Sequence, residues 1–162
     1  MASFQWIVHH RFGVIVNAGR KAGTGMDQDW TLARIGSHIA DGLKLTTLFG
    51  LDVIAADAEH ARLRINAGPQ VLRPGGIVAG PILFAAADVA TYALILARVG
   101  DPDAVTVDLT INFLRAGRNL PLIAEAVTLR AGRRLFSAAV SITEQDGERR
   151  LIAQATTNWA LS

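Results

Sequence analysis

Cysteine is absent from the 162 residues. Disulfide frameworks, thiol nucleophiles and thiolate-held zinc go with it. Histidine is scarce: His9 and His10 are adjacent, His38 and His60 stand apart, and no spaced set of three ligands exists, so no metal is expected. Lysine is nearly missing, with Lys21 and Lys44 set against fourteen arginines. The 16 basic and 14 acidic residues leave a net charge of +2, too even a balance to point to nucleic acid. Long hydrophobic runs are lacking too, except for Ile77 to Ala97, and Asp88 sits in the middle of that one. A carboxylate at mid-bilayer costs about 2.5–3.5 kcal/mol, whereas a helix enclosed in a soluble protein shows the same pattern without that cost. No membrane partner is expected. Near the N-terminus, His9, His10 and Arg11 interrupt the apolar residues, so no continuous signal-peptide core forms and a cytoplasmic location is the default.

What remains is ample material for a core. Hydrophobic residues make up 51% and charged residues 19%, the balance of one compact domain. Residues 1–28 show no clean period and are glycine-rich from Gly19 to Gly25, which reads as an irregular arm before a domain spanning 29–162.

Within that domain, Ile35, Ile39 and Leu43 recur at fours after Trp30 and predict a helix to about Leu48, with Asp29 able to cap it. Leu51 to Ile65 reads as a strand or hairpin in which Arg62 and Arg64 face away from the core. Gly68-Pro69 and Pro74-Gly75-Gly76 mark a loop, and a helix is expected from Pro81 to about Arg98, since proline suits a first helical position. It is apolar nearly all round and must be enclosed. From Val105 to Phe113 apolar and polar residues alternate strictly. Turn signals at Gly117-Arg118-Asn119, Gly132 and Asp146-Gly147 then separate strands at about Leu122–Arg130, Arg134–Thr143 and Arg150–Trp159. The expected architecture is α+β: a four-strand antiparallel meander, with the early strand, curled around one long helix.

Two residues stand out chemically. Asp88 has only apolar neighbours in the chain, and a carboxylate buried alone is expensive. Either it faces a functional cavity or it is a satisfied acid at a subunit contact. Gly80 lies at a loop-to-helix junction, where unpaired N–H groups suit a developing oxyanion; the plainer account is a helix cap.

The segment Val78-Ala79-Gly80-Pro81-Ile82-Leu83-Phe84-Ala85-Ala86-Ala87-Asp88 resembles the hotdog-fold acyl-CoA thioesterases of the phenylacetate-degradation type, in the 4-hydroxybenzoyl-CoA thioesterase superfamily. Ala104 to Asp108, Asn112 to Arg115, Gly132-Arg133-Arg134 and Leu151 to Thr156 are similar to that family as well. The resemblance implies a hotdog fold, an antiparallel sheet wrapped around one central helix. It implies acyl-CoA hydrolysis with Asp88 as base or nucleophile and the Gly80 N–H at the oxyanion. It also implies that Thr106 positions water from the neighbouring subunit, in a homodimer or dimer of dimers. Arg133 and Arg134 fall where the phosphates of coenzyme A are met, and no cofactor beyond the substrate's own coenzyme A is implied. Three positions depart from the family pattern: Ala79 stands for its histidine, Pro81 for its second glycine and Arg73 for its asparagine. Arg73 offers a guanidinium able to hold the acid or clamp a carbonyl or phosphate. These departures motivate an alternative, a non-catalytic acyl-CoA-binding domain. A hotdog dehydratase would need a histidine beside the helix, and none precedes it at the required place.

Overall fold

A computed structural model describes residues 29–118, 120–145 and 149–162. The arm expected over 1–28 and the Asp146-Gly147 turn lie outside the described residues.

The chain begins with helix α1 (Leu32–Gly42), whose cap is Thr31 and not Asp29: the Arg34 N–H donates to Thr31 Oγ1 at 3.3 Å. The single helix expected to Leu48 is two. Leu43 leaves helical geometry after Gly42, a weak helix former, and α2 (Lys44–Phe49) restarts from it and ends at left-handed Gly50. Strands β1 (Leu51–Ala56) and β2 (His60–Ile65) form the hairpin, with Ala61, Leu63 and Ile65 buried. Arg62 and Arg64 point outward, beside Glu125 and Asp52.

A two-strand ribbon, β3 (Leu72–Arg73) with β4 (Ile77–Val78), leads into helix α3 (Gly80–Arg98). Then come β5 (Val105–Phe113), β6 (Leu122–Ala131), β7 (Leu135–Glu144) and β8 (Leu151–Ala160). The six long strands form one antiparallel sheet in the order β1-β2-β6-β7-β8-β5. The four-strand meander is therefore corrected to three strands: β6, β7 and β8 are sequential neighbours, while β5 lies at the far edge against β8. The reason lies in the link after β5. Leu114 and Arg115 both donate to Ile152 O, at 2.8 and 3.1 Å, so the chain stays against β8 before it crosses to β6. Gly117 lies within that crossing, where a Cβ would come within 3.0 Å of Leu122 and 3.2 Å of Ile152.

Helix α3 is long and apolar enough to cross a bilayer, yet most of it is buried against the concave face of the sheet. Leu94, Ile95 and Leu96 are fully buried, as are Leu63, Phe136 and Ile142 of the strands. The helix and sheet each supply the cover that the other's apolar face requires.

Candidate active site

One stripe of α3 escapes the sheet. Pro81, Phe84, Ala85, Asp88 and Tyr92 follow a helical spacing, are exposed or half-buried, and run beside β5. Asp88 is the only charged residue of the helix before its terminal Arg98. Burial raises its carboxyl above the ordinary carboxylate range, and a hydrogen bond from Thr106 partly offsets this. The Thr106 hydroxyl donates to Asp88 Oδ1 at 2.8 Å.

This contact lies within one chain, whereas the family resemblance put the hydroxyl on a neighbouring subunit. A β-bulge is the cause. From Leu109 onward the odd residues of β5 face the helix, and simple alternation would send Thr106 outward with Asp108. The register slips between Thr106 and Asp108, so Thr106 pairs with inward-facing Trp159 while Asp108 pairs with outward-facing Asn158. Val107, the inserted residue, is 61% exposed.

Tyr92, one turn beyond Asp88, stacks on Trp159 with ring centroids 5.7 Å apart and planes 5° from parallel. Its hydroxyl donates to Pro102 O at 2.8 Å, so the 3.0 Å contact with His38 is donated by His38 Nε2. This wall beside the acid was not among the expected site residues. Its signal was the spacing of four from Asp88 to Tyr92.

Gly80 starts α3. Its N–H has no acceptor within the helix, and Pro81 has no N–H to compete with it. A Cβ on Gly80 would lie 3.3 Å from the Phe113 ring. Gly80 and Arg73 line one cleft of about 430 Å³, together with Leu83, Phe113 and Arg115. Ala79 and Pro81 sit at the helix start but are not among the lining residues; the Ala79 N–H is held by Val71 O at 2.9 Å. Arg133 and Arg134 line a separate concavity of about 360 Å³ with Arg130 and Leu135. Leu135, Ala160 and Val105 share one row of the sheet, which places this concavity toward the Thr106 end of β5.

The structure thus brings Asp88 to Thr106, and Gly80 to Arg73, but does not join the two pairs. Eight helical steps separate Gly80 from Asp88, about 12 Å along the axis. One thioester carbonyl cannot meet both within a single chain. Among the described residues no group of three His, Asp or Glu side chains could hold a metal ion.

The comparisons with known proteins agree with this fold. A Saccharolobus solfataricus protein named "Putative esterase" is 30% identical over 128 residues, 77% of this chain and 84% of that protein. A Haemophilus influenzae thioesterase superposes with a TM-score of 0.73 at 17% identity, covering 82% of this chain and 90% of its own. Zebrafish thioesterase superfamily member 2 superposes with a TM-score of 0.71 at 23% identity, covering 82% and 99%. At such identities the two structures speak for the fold alone. The family model for the thioesterase superfamily matches residues 75–150, a span that holds Gly80, Asp88 and Thr106. With the curated relative matched over most of its length, this chain belongs to the thioesterase superfamily.

Proposed function

We propose that this protein hydrolyses acyl-CoA thioesters in the manner of the phenylacetate-degradation group, as a homodimer or a dimer of dimers. The observation that carries the reading is the Asp88–Thr106 pair, a carboxylate raised by burial on an otherwise apolar helix and oriented by a hydroxyl. Thr106 occupies Oδ1, and no described residue donates to Oδ2, which is left to hold water. Water attacks the thioester carbonyl carbon while Asp88 takes its proton. The carbonyl electron pair moves onto oxygen, where a backbone N–H steadies it. Collapse of that intermediate breaks the C–S bond, and the thiolate leaves with the proton as coenzyme A. Direct attack by Asp88, followed by hydrolysis of the anhydride, uses the same groups.

The separation of Gly80 from Asp88 supports a second subunit as the source of the oxyanion N–H. The β5 edge, with Val105 60% and Val107 61% exposed, supports strand pairing as the contact. Arg133 and Arg134, with Arg130, supply guanidinium donors for coenzyme A phosphates. No cofactor is needed for this chemistry.

The test is a broad acyl-CoA panel run on the wild type and Asp88→Asn side by side. Loss of a general base lowers the rate by about 10²–10⁴-fold. An unchanged rate in the variant sinks the assignment. Ala79 and Arg73, in place of the family's histidine and asparagine, favour one second reading: an acyl-CoA-binding domain without turnover. It predicts binding of acyl-CoA with no hydrolysis in the wild type.

A further inference from the structure

The cleft at Gly80 carries a charge that the hydrolytic mechanism does not use. Among its nine lining residues are Arg73 and Arg115 and no carboxylate. The Arg73 side chain makes no hydrogen bond or ion pair with any described residue. One guanidinium nitrogen of Arg115, Nη1, donates to Leu151 O at 3.1 Å, and no described acceptor takes the other guanidinium N–H groups. The remaining walls are apolar, from Ile77, Leu83, Phe113 and Leu114. Apolar walls with cationic ends suit a short hydrocarbon that terminates in an anion.

We infer that the cleft lined by Gly80, Arg73 and Arg115 receives the acyl group of a thioester that ends in a carboxylate, such as a short dicarboxylic monothioester. The inference rests on the proposed thioesterase reading, with the thioester carbonyl at the Gly80 N–H.

Distance decides between the two anions that such a substrate contains. A cleft of about 430 Å³ is on the order of 9 Å across if equidimensional. The pantetheine arm between sulfur and diphosphate has two amides and their linkers, comparable to four extended residues, or on the order of 14 Å. A carbonyl seated on Gly80 therefore puts the phosphates outside this cleft, whereas a carboxylate three or four carbons along the acyl chain stays within it. Bidentate guanidinium–carboxylate pairing then gives the cleft a reason to hold two arginines and no acid. The separate concavity of Arg130, Arg133 and Arg134 is left for phosphate.

The experiment compares succinyl with butyryl thioesters, equal in carbon count and differing in the terminal carboxylate. Each is presented on coenzyme A and on N-acetylcysteamine, which has no phosphate. The wild type is expected to prefer succinyl in kcat/KM by about tenfold or more on both carriers, because a site built for a polar group rejects the analogue that lacks it. In the double variant Arg73→Gln, Arg115→Gln this ratio falls to near one on both carriers, and Arg73→Lys restores part of it. The pair Arg133→Gln, Arg134→Gln leaves the succinyl-to-butyryl ratio in place and lowers the preference for coenzyme A over N-acetylcysteamine. Two results overturn the inference. One is a wild type with no succinyl preference. The other is an Arg73/Arg115 variant that loses rate equally with both acyl groups on coenzyme A and not on N-acetylcysteamine, which would place phosphate in the cleft. Asp88→Asn run alongside separates the levels: hydrolysis that survives it refutes the catalytic reading, whatever the acyl ratio does.

Discussion

The two edges of the sheet are treated differently by the same chain. At one edge β1 has α1 and α2 packed against it, Asp52 pairs with Arg64 at 3.4 Å, and Asn66 donates to Asp52 at 2.7 Å. No large apolar side chain of β1 is exposed. At the other edge α3 meets β5 on its inner face, and Val105, Val107 and Phe113 are 60%, 61% and 55% exposed. An open strand carrying apolar side chains is an aggregation hazard unless something pairs with it. Every residue proposed for catalysis lies on or beside that open edge: Thr106 on β5, Asp88 facing it, and Gly80 against Phe113. One edge is finished by the chain itself; the other holds the residues proposed for catalysis and is the edge proposed for association.

The largest expected effect comes from breaking the open edge. Val105→Lys with Val107→Lys puts two charges where a second copy would pair, at side chains that are 60% and 61% exposed. If the site is completed across β5, light scattering should show a monomer, and hydrolysis should fall by about 100-fold or more, because the oxyanion donor is then absent. Ile54→Lys on the β1 edge should leave mass and rate unchanged. A monomer that keeps full activity would mean that the two edges do not differ in function.

How far the sequence revealed this depends on which interaction sets each feature. Helix α3 was legible almost to the residue, because its apolar run, Gly80-Pro81 start and Gly100 stop are local signals. The strands β6, β7 and β8 were legible within a residue or two for the same reason. The place of β5 was not: nothing local in the Val105–Phe113 alternation says whether the strand pairs with β6 or β8. That choice is made by backbone hydrogen bonds of residues 114 and 115 to Ile152, 38 and 37 residues away in the chain. The bulge was hidden too. Strict alternation puts Thr106 on the polar face, and only the pairing of β5 with β8 shows that it turns inward. Asp88 could be singled out from the cost of burying a charge, but its hydroxyl partner came from resemblance, and the structure supplies it from the same chain. Tyr92, His38 and Trp159 meet only in three dimensions.

A smaller effect sharpens the open edge at its catalytic end. Thr106→Val keeps the β-branched shape and removes the donor to Asp88 Oδ1. With that hydrogen bond gone, burial acts on Asp88 unopposed and its pKa rises further. The acid limb of the pH–rate profile should move to higher pH and kcat should fall by about tenfold, less than the roughly 10²–10⁴-fold lost with the base itself. Thr106→Ser should restore both. A fall in rate with an unmoved profile would make Thr106 a packing residue and not a positioning one.

The smallest effect concerns stability. Burial holds the folded pKa of Asp88 above its ordinary value of 3.8. Between the unfolded and folded pKa values the unfolded chain has released the proton and the folded chain still holds it, so the unfolded state binds fewer protons. Stability contributed by this group therefore falls as pH rises through that window, and the penalty is fully present above the folded pKa. Asparagine carries no such penalty. Asp88→Asn should melt a few degrees at most above the wild type at neutral pH, with the difference vanishing below pH 3.8. An Asp88→Asn melting difference equal at acid and neutral pH would show that the carboxylate is not desolvated. A difference confined to neutral pH would show that the open edge keeps its acid at a cost to the fold, which is the trade expected of a group retained for chemistry.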